Sequence, residues 1–211
     1  MGYRALANVS SRLVASAALG LVFLAGCGGS QQSSSGGPTL ASQIAAAQSN
    51  PNPQARARTL ITLGYKQYQA QDSMGARDTY KMALAAAREI KDPGSKAIEL
   101  AKLAEGYARM GDASEARQTV REAEGVAKDV SEPFLKVAAY SAMAKALGIA
   151  QSPADAVNLL RDAEQVVDGL PASEDVLEQQ QRVESLISIG EGYYGLDRKE
   201  NATALFDRIQ Q

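Results

Sequence analysis

The chain has 211 residues, 45% of them hydrophobic and 22% charged, with a formal net charge of -2, one cysteine, no histidine and no tryptophan. These counts exclude a disulfide within the chain, a zinc site of the Cys/His kind and any catalytic dyad or triad built on histidine. The near-neutral balance lacks the basic excess of a nucleic-acid binder, and the length suits one domain or a small pair.

Arg4 and Arg12 are the only charges in the first 55 residues. An apolar run, Leu13 to Phe23 and Leu24, follows them and is too short to cross a bilayer of about 30 Å as a helix. A basic head, a short apolar core and small residues at its end describe a secretory signal peptide. Leu24-Ala25-Gly26-Cys27 resembles the lipobox of bacterial lipoproteins, which implies acylation of Cys27 and removal of residues 1–26. By the same resemblance, Gly28 after the cysteine, in place of aspartate, implies the outer membrane, on its periplasmic side. Residues 27–38 are rich in glycine and serine, bury almost nothing and read as a flexible tether. No phosphate-binding loop is expected there, because neither the GxGxxG nor the GxxxxGK[ST] spacing occurs.

From about residue 39 the chain repeats itself every forty residues. Pro53, Pro93 and Pro133 share one column, Leu63, Leu103 and Met143 a second, and Gly64, Ala104 and Ala144 a third. Ala76, Ala116 and Ala156, then Tyr80, Val120 and Leu160, then Ala83, Ala123 and Ala163 continue the register. It returns after six extra residues as Ile189, Gly190, Ala202, Phe206 and Ile209. Each unit contains two apolar stripes at helical spacing, interrupted by a turn such as Gly111-Asp112. Proline suits the first turn of a helix, and Asn52 and Asp92 just before two of them suit the N-cap. The expectation is hairpins at about 54–91, 94–130, 133–168 and 174–210, with a short helix at about 39–49 covering the N-terminal face. The extra residues fall within Gly169–Gln181, where Pro171 and Ser173 read as a turn and a cap before the longest helix, about 174–195. No dedicated capping helix follows the last hairpin, which leaves that end open to a partner or to self-association.

Leu103, Ala104, Tyr107, Ala116, Val120 and Ala123 resemble the tetratricopeptide repeat (TPR) family, and Ile189, Gly190, Tyr193, Ala202 and Phe206 match it in the last unit. The first unit departs where Gln67 replaces the tyrosine, the third where Leu147 does, and the period exceeds the family's usual length of about 34 residues. The resemblance implies an all-α fold, a right-handed superhelical solenoid of four TPR-like hairpins. It also implies that the first helices line a concave groove for a protein or peptide partner. Carried over column by column, that groove contains Arg58, Ile61, Tyr65 and Tyr68 from the first unit and Glu105 and Arg109 from the second. Ser141 and Lys145 follow from the third, and Glu184, Ile187, Glu191 and Tyr194 from the fourth. Tyrosine and arginine are enriched at binding hot spots, although Tyr65 and Tyr68 also fit a reading as half-buried packing residues. The lysine and asparagine clamp of some chaperone-binding members is absent.

The carboxylate pairs Glu122/Glu124 and Glu174/Asp175 read as solvated helix faces and helix-start charges, and no GxSxG, HExxH or EF-hand pattern occurs. The expected function is therefore a membrane-anchored adaptor without catalysis, cofactor or metal. The alternatives are a subunit of an envelope secretion, pilus or outer-membrane assembly machine and, from another class, a periplasmic hydrolase or sugar-binding protein.

Overall fold

The structure, a computed structural model, describes residues 37–209. Residues 1–36, and with them Cys27, lie outside the described residues, which contain nine helices and no strand. A short helix α1 (Leu40–Gln48) precedes four hairpins, α2 (Pro53–Gln69) with α3 (Ser73–Glu89) and α4 (Pro93–Arg109) with α5 (Ala113–Ala127). The third and fourth are α6 (Pro133–Ile149) with α7 (Pro153–Asp168) and α8 (Val176–Gly195) with α9 (Lys199–Ile209). The repeat solenoid expected from the forty-residue register is the fold observed.

The helix starts follow from local chemistry. Asn52 accepts hydrogen bonds from the N–H groups of Gln54 and Ala55, and Asp92 from that of Ser95, as the sequence anticipates. Glu132 does the same for Phe134 and Leu135 in the third unit. Before α8 the cap is Asp175, which accepts from Leu177 and Glu178, while Ser173 accepts from the Asp175 N–H one step earlier. The longest helix therefore starts at Val176, two residues later than the expected 174. A charged cap displaces the serine because a carboxylate makes the stronger bond to backbone N–H groups.

The hairpin turns repeat as strictly as the helices. Gln71, Gly111, Gln151 and Asp197 stand in one column, with φ of 65°, 83°, 57° and 57°. The next residue in each case, Asp72, Asp112, Ser152 or Arg198, donates its N–H five residues back, to Gln67, Tyr107, Leu147 or Tyr193, at 2.9 Å. This is the six-residue closure that ends helices through a left-handed residue. One of the four is glycine, so Gly111-Asp112 was the only turn with a compositional flag.

First and second helices form two layers with different spacing. Within each hairpin the helices pack along their length, and α2, α4, α6 and α8 also pack successively on one another. The second helices reach the next first helix, and ion pairs run between some of them. Arg77 with Asp112 (2.6 Å) and Arg88 with Glu122 (2.8 Å) tie α3 to α5, and Arg208 with Asp168 ties α7 to α9. Tighter packing among the first helices places them on the inner side of the solenoid's curve. α1 takes the place of a second helix ahead of α2, with Ala47 buried and Leu40 and Ile44 against the cluster that contains Leu60 and Leu63.

Large residues of the second helices lock the layers. The Tyr80 ring lies against Gly64 of α2 and Gly106 of α4, where an added Cβ would sit 2.4 and 2.7 Å from ring atoms. Leu160 occupies the same role against Gly192 and Phe206 against Gly190. Small residues at those columns are thus receptacles for the next layer's side chains. Gln67, the departure from the tyrosine column, is buried and accepts from the Thr79 hydroxyl at 2.6 Å, which satisfies its amide oxygen inside the first hairpin.

Candidate functional site

The seams between successive first helices differ in what fills them. At the α2–α4 seam, Ile61, Thr62, Tyr65, Tyr80, Lys102, Glu105, Gly106 and Arg109 surround a cavity of about 320 Å³. The Arg109 guanidinium lies 5.8 Å from the centre of the Tyr65 ring, close enough for cation–π attraction, and Tyr68 sits beside Tyr65 at 6.4 Å. Tyr80 forms part of the cavity wall, packs edge-on to Tyr107 and has a buried hydroxyl without a partner. Burial pushes the phenols of Tyr80 and Tyr107 up to about 12.

Below this cavity, Glu99 of α4 is wholly buried. One of its oxygens accepts from Arg58 Nε and a terminal guanidinium nitrogen at 3.0 and 2.7 Å and from Lys102 Nζ at 3.2 Å; the other has no partner. Arg58 therefore bridges α2 to α4, with its guanidinium committed to this pair.

The α4–α6 seam is closed. Ala101, Ala108, Ala139 and Ala146 are all buried, and α4 and α6 touch along more of their length than the other first helices do. Across its rim, Glu105 accepts from Arg109 Nε at 3.0 Å and pairs with Lys145 Nζ at 3.1 Å. Partial burial alone would raise the Glu105 carboxyl, but the hydrogen bonds from Arg109 and Lys145 outweigh it and hold the group below the ordinary glutamate value.

At the α6–α8 seam the space opens again. A cavity of about 480 Å³ is lined by Ala138, Ser141, Ala142, Ala144, Lys145, Gly148 and Ile149 on one wall and by Ser188, Glu191, Gly192, Gly195 and Leu196 on the other. It adjoins a smaller one of about 230 Å³, with Ala138 and Ser188 common to both and Glu184 on its wall. Ser141 is 8% exposed, and its hydroxyl has no partner. A further cavity of about 310 Å³ lies between α5 and α7, on the other layer, lined by Arg117, Arg121, Glu124, Asp155 and Asp162 among others.

The residues singled out from the sequence thus fall into three places. Arg58, Ile61, Tyr65, Tyr68, Glu105 and Arg109 gather at the first seam, and Ser141, Lys145, Glu184 and Glu191 at the third. Lys145 joins the two through Glu105. Ile187 and Tyr194, 38% and 63% exposed, line neither cavity. Cys27 lies outside the described residues. Ser141 lines the floor of the cavity and is not an open surface residue. Glu99, Lys102 and the glycine column Gly106/Gly192 are not singled out from the sequence, and Tyr80 is marked there only as a repeat column, not as a cavity wall. The glycines did carry a signal, since they keep the same register as Ala146.

Among the described residues no group of three acidic or cysteine side chains is placed to hold a metal, and no helix is long and apolar enough to cross a membrane. No protein-family model matches the chain, and no curated protein does either. Among solved structures, the fold is similar to the crystal structure of Ton1535 from Thermococcus onnurineus NA1, with a TM-score of 0.64 and 21% identity. The similarity covers 79% of this chain and 48% of that one, so the chain spans about half the length of its structural neighbour. At that identity the likeness is one of fold.

Proposed function

We propose that this protein is a lipid-anchored adaptor of a bacterial envelope, which holds another protein against the layer formed by α2, α4, α6 and α8 and carries out no chemistry of its own. The observation that carries the reading is the pair of open seams on that layer, joined by the chain Tyr65–Arg109–Glu105–Lys145. An aromatic face and a guanidinium held on a rigid helical scaffold are the usual equipment of a binding hot spot. Pre-formed openings also reduce the ordering cost of association, because the walls are fixed by helix packing before a partner arrives.

The anchor rests on the Leu24-Ala25-Gly26-Cys27 sequence, with the outer membrane, periplasmic side, as the proposed location. Several acyl chains at about 0.8 kcal/mol per buried methylene would hold the protein durably on a bilayer. Intact mass of the protein isolated from membranes tests this part; a species beginning at Met1 with an unmodified Cys27 would refute it. The adaptor part is tested by crosslinking in native envelopes followed by mass spectrometry, on the wild type and on Tyr65→Ala/Tyr68→Ala. A crosslinked protein partner, depleted in the double variant while its melting temperature stays near wild type, supports the reading. Crosslinking that recovers no protein partner would count decisively against it.

A further inference from the structure

We infer that the α6–α8 seam is a slot for a short extended cationic segment of the partner, an inference that rests on the adaptor reading and specifies where it acts and on what. The slot exists because its walls are small and yet held apart. Ala138, Ser141 and Gly148 face it from α6, and Ser188, Gly192 and Gly195 from α8. Residues equally small allow α4 and α6 to close. Here, Leu196 presses on Gly148 and Leu160 on Gly192, where an added Cβ would lie 2.9 and 2.6 Å from leucine methyls. Leu160 reaches Gly192 from α7, and Leu196 is itself part of the slot's wall, so both glycine positions are already filled by leucine methyls. The result is an apolar-walled opening of about 480 Å³ with a layer of side chains missing.

The floor and rim define what the missing layer is. The buried Ser141 hydroxyl has no hydrogen-bond partner inside the protein, and an unsatisfied buried hydroxyl favours an occupant that brings a polar backbone group. Taken with the adjoining cavity, the charged lining residues are Glu132, Glu184 and Glu191 against Lys145, so the rim of the combined opening is negative. Lys145 is already paired with Glu105, Glu191 is in no ion pair among the described residues, and Glu184 accepts only from the neutral Gln180 amide. The two free carboxylates sit two helical turns apart on α8, about 10 Å along the axis. A helix is about 10–12 Å across with its side chains, and α6 and α8 already touch one another, so a thinner, extended segment suits the seam better. The chemistry that matches is a strand with small or aliphatic side chains toward the floor and lysine or arginine toward Glu184 and Glu191.

The test uses the purified full chain and two fluorescein-labelled heptapeptides, one alternating valine with lysine and the other alternating valine with glutamate. Anisotropy is read at about 50 mM salt, where screening is modest. The lysine peptide is expected to bind and the glutamate peptide to show at least tenfold weaker binding. Gly195→Phe, at a position where an added Cβ meets nothing within 4 Å, should plug the slot and weaken the lysine peptide at least tenfold while the helical circular dichroism is unchanged. Glu191→Lys should weaken it at least fivefold, and Glu115→Lys, an equal change of net charge on exposed α5, less than twofold. Equal binding of the two peptides, equal effects of the two charge reversals, or no binding of the lysine peptide at millimolar concentration would each overturn the slot. Failure here is separable from failure of the adaptor reading. Loss of binding in Tyr65→Ala/Tyr68→Ala with retention in Gly195→Phe would move the contact to the α2–α4 seam and leave the adaptor standing.

Discussion

Replacing Arg58 by alanine should destabilise the protein through a residue it does not touch by packing. Glu99 is 0% exposed and its only partners are Arg58 and Lys102, all on one oxygen. Removing one partner of a fully buried pair costs about 3–5 kcal/mol, and an exposed pair contributes about 0.2–1 kcal/mol. This pair is asymmetric: the carboxylate is buried, while the Arg58 side chain is 58% exposed and screened. Lys102 also remains at 3.2 Å after the deletion. An intermediate cost of about 2 kcal/mol follows, equivalent to a fall in melting temperature of about 4–8 °C for a domain of this size. The same logic reverses for the carboxylate. Glu99→Met keeps a similar volume, removes the buried charge and its orphaned oxygen, and should leave stability within about 1 kcal/mol of wild type or above it.

The assay is a double-mutant cycle by thermal and urea unfolding of Arg58→Ala, Glu99→Met and the double variant. Once Glu99 is gone, Arg58→Ala should cost less than about 0.5 kcal/mol, the usual size of a surface substitution. If Arg58→Ala costs the same in both backgrounds, its effect comes from its aliphatic stem, and the bridge between α2 and α4 is not an electrostatic one. If Glu99→Met alone unfolds the protein, the buried carboxylate is a required element of the fold and the argument from desolvation is wrong.

Three other outcomes are expected. Gln71→Gly and Gln151→Gly, at turn positions with φ of 65° and 57°, should each raise stability by about 0.5–1 kcal/mol in urea unfolding, because the left-handed strain of an L residue exceeds the added unfolded-state freedom; a fall in both would show that the glutamine side chains hold the turns. Glu105 is held below the ordinary glutamate value despite its burial, by Arg109 and Lys145, and Glu122 by its bond from Arg88. A lowered folded value means the stability is complete above the unfolded carboxylate range and is lost as pH falls through and below it, so the melting temperature should drop below about pH 4.5 and drop less in Glu105→Gln. Ala116→Leu, at a position with no exposed surface, should overpack the second hairpin and cost about 1–3 kcal/mol, and an unchanged melting temperature would refute the close contact between α4 and α5.

Much of the fold was legible because each layer of it recurs in the sequence. The proline column marks three of the four first helices, and the small-then-large columns mark the contacts between layers. What did not repeat was not legible. Ser173 and Asp175 are both good cap residues by type, so composition does not choose between them, and the three turns without glycine carry no compositional mark. The site was legible as a set of columns but not as two separate openings. Column analysis assigns a residue to a face, whereas the width of a seam depends also on side chains from the other layer, such as Tyr80 and Leu160, that pack against its glycines.

That dependence explains why the three seams differ although their helices share one repeat. At the first, Ile61 and Tyr65 of α2 line the gap and the Arg58–Glu99 pair ties α2 to α4, so the opening is moderate and aromatic. At the second, Ala101 stands in the Ile61 column and Glu105 in the Tyr65 column, and α4 and α6 pack closely with the Glu105–Lys145 pair at the rim. At the third, the walls are smaller still, yet Leu160 and Leu196 occupy the glycine receptacles, and the seam stays open with an unsatisfied hydroxyl at its floor. A small residue therefore has opposite effects depending on what the second helix inserts against it. In a solenoid, substitutions in the second-helix layer should tune the binding face without appearing on it, as Leu160 of α7 does where it packs against Gly192 of α8.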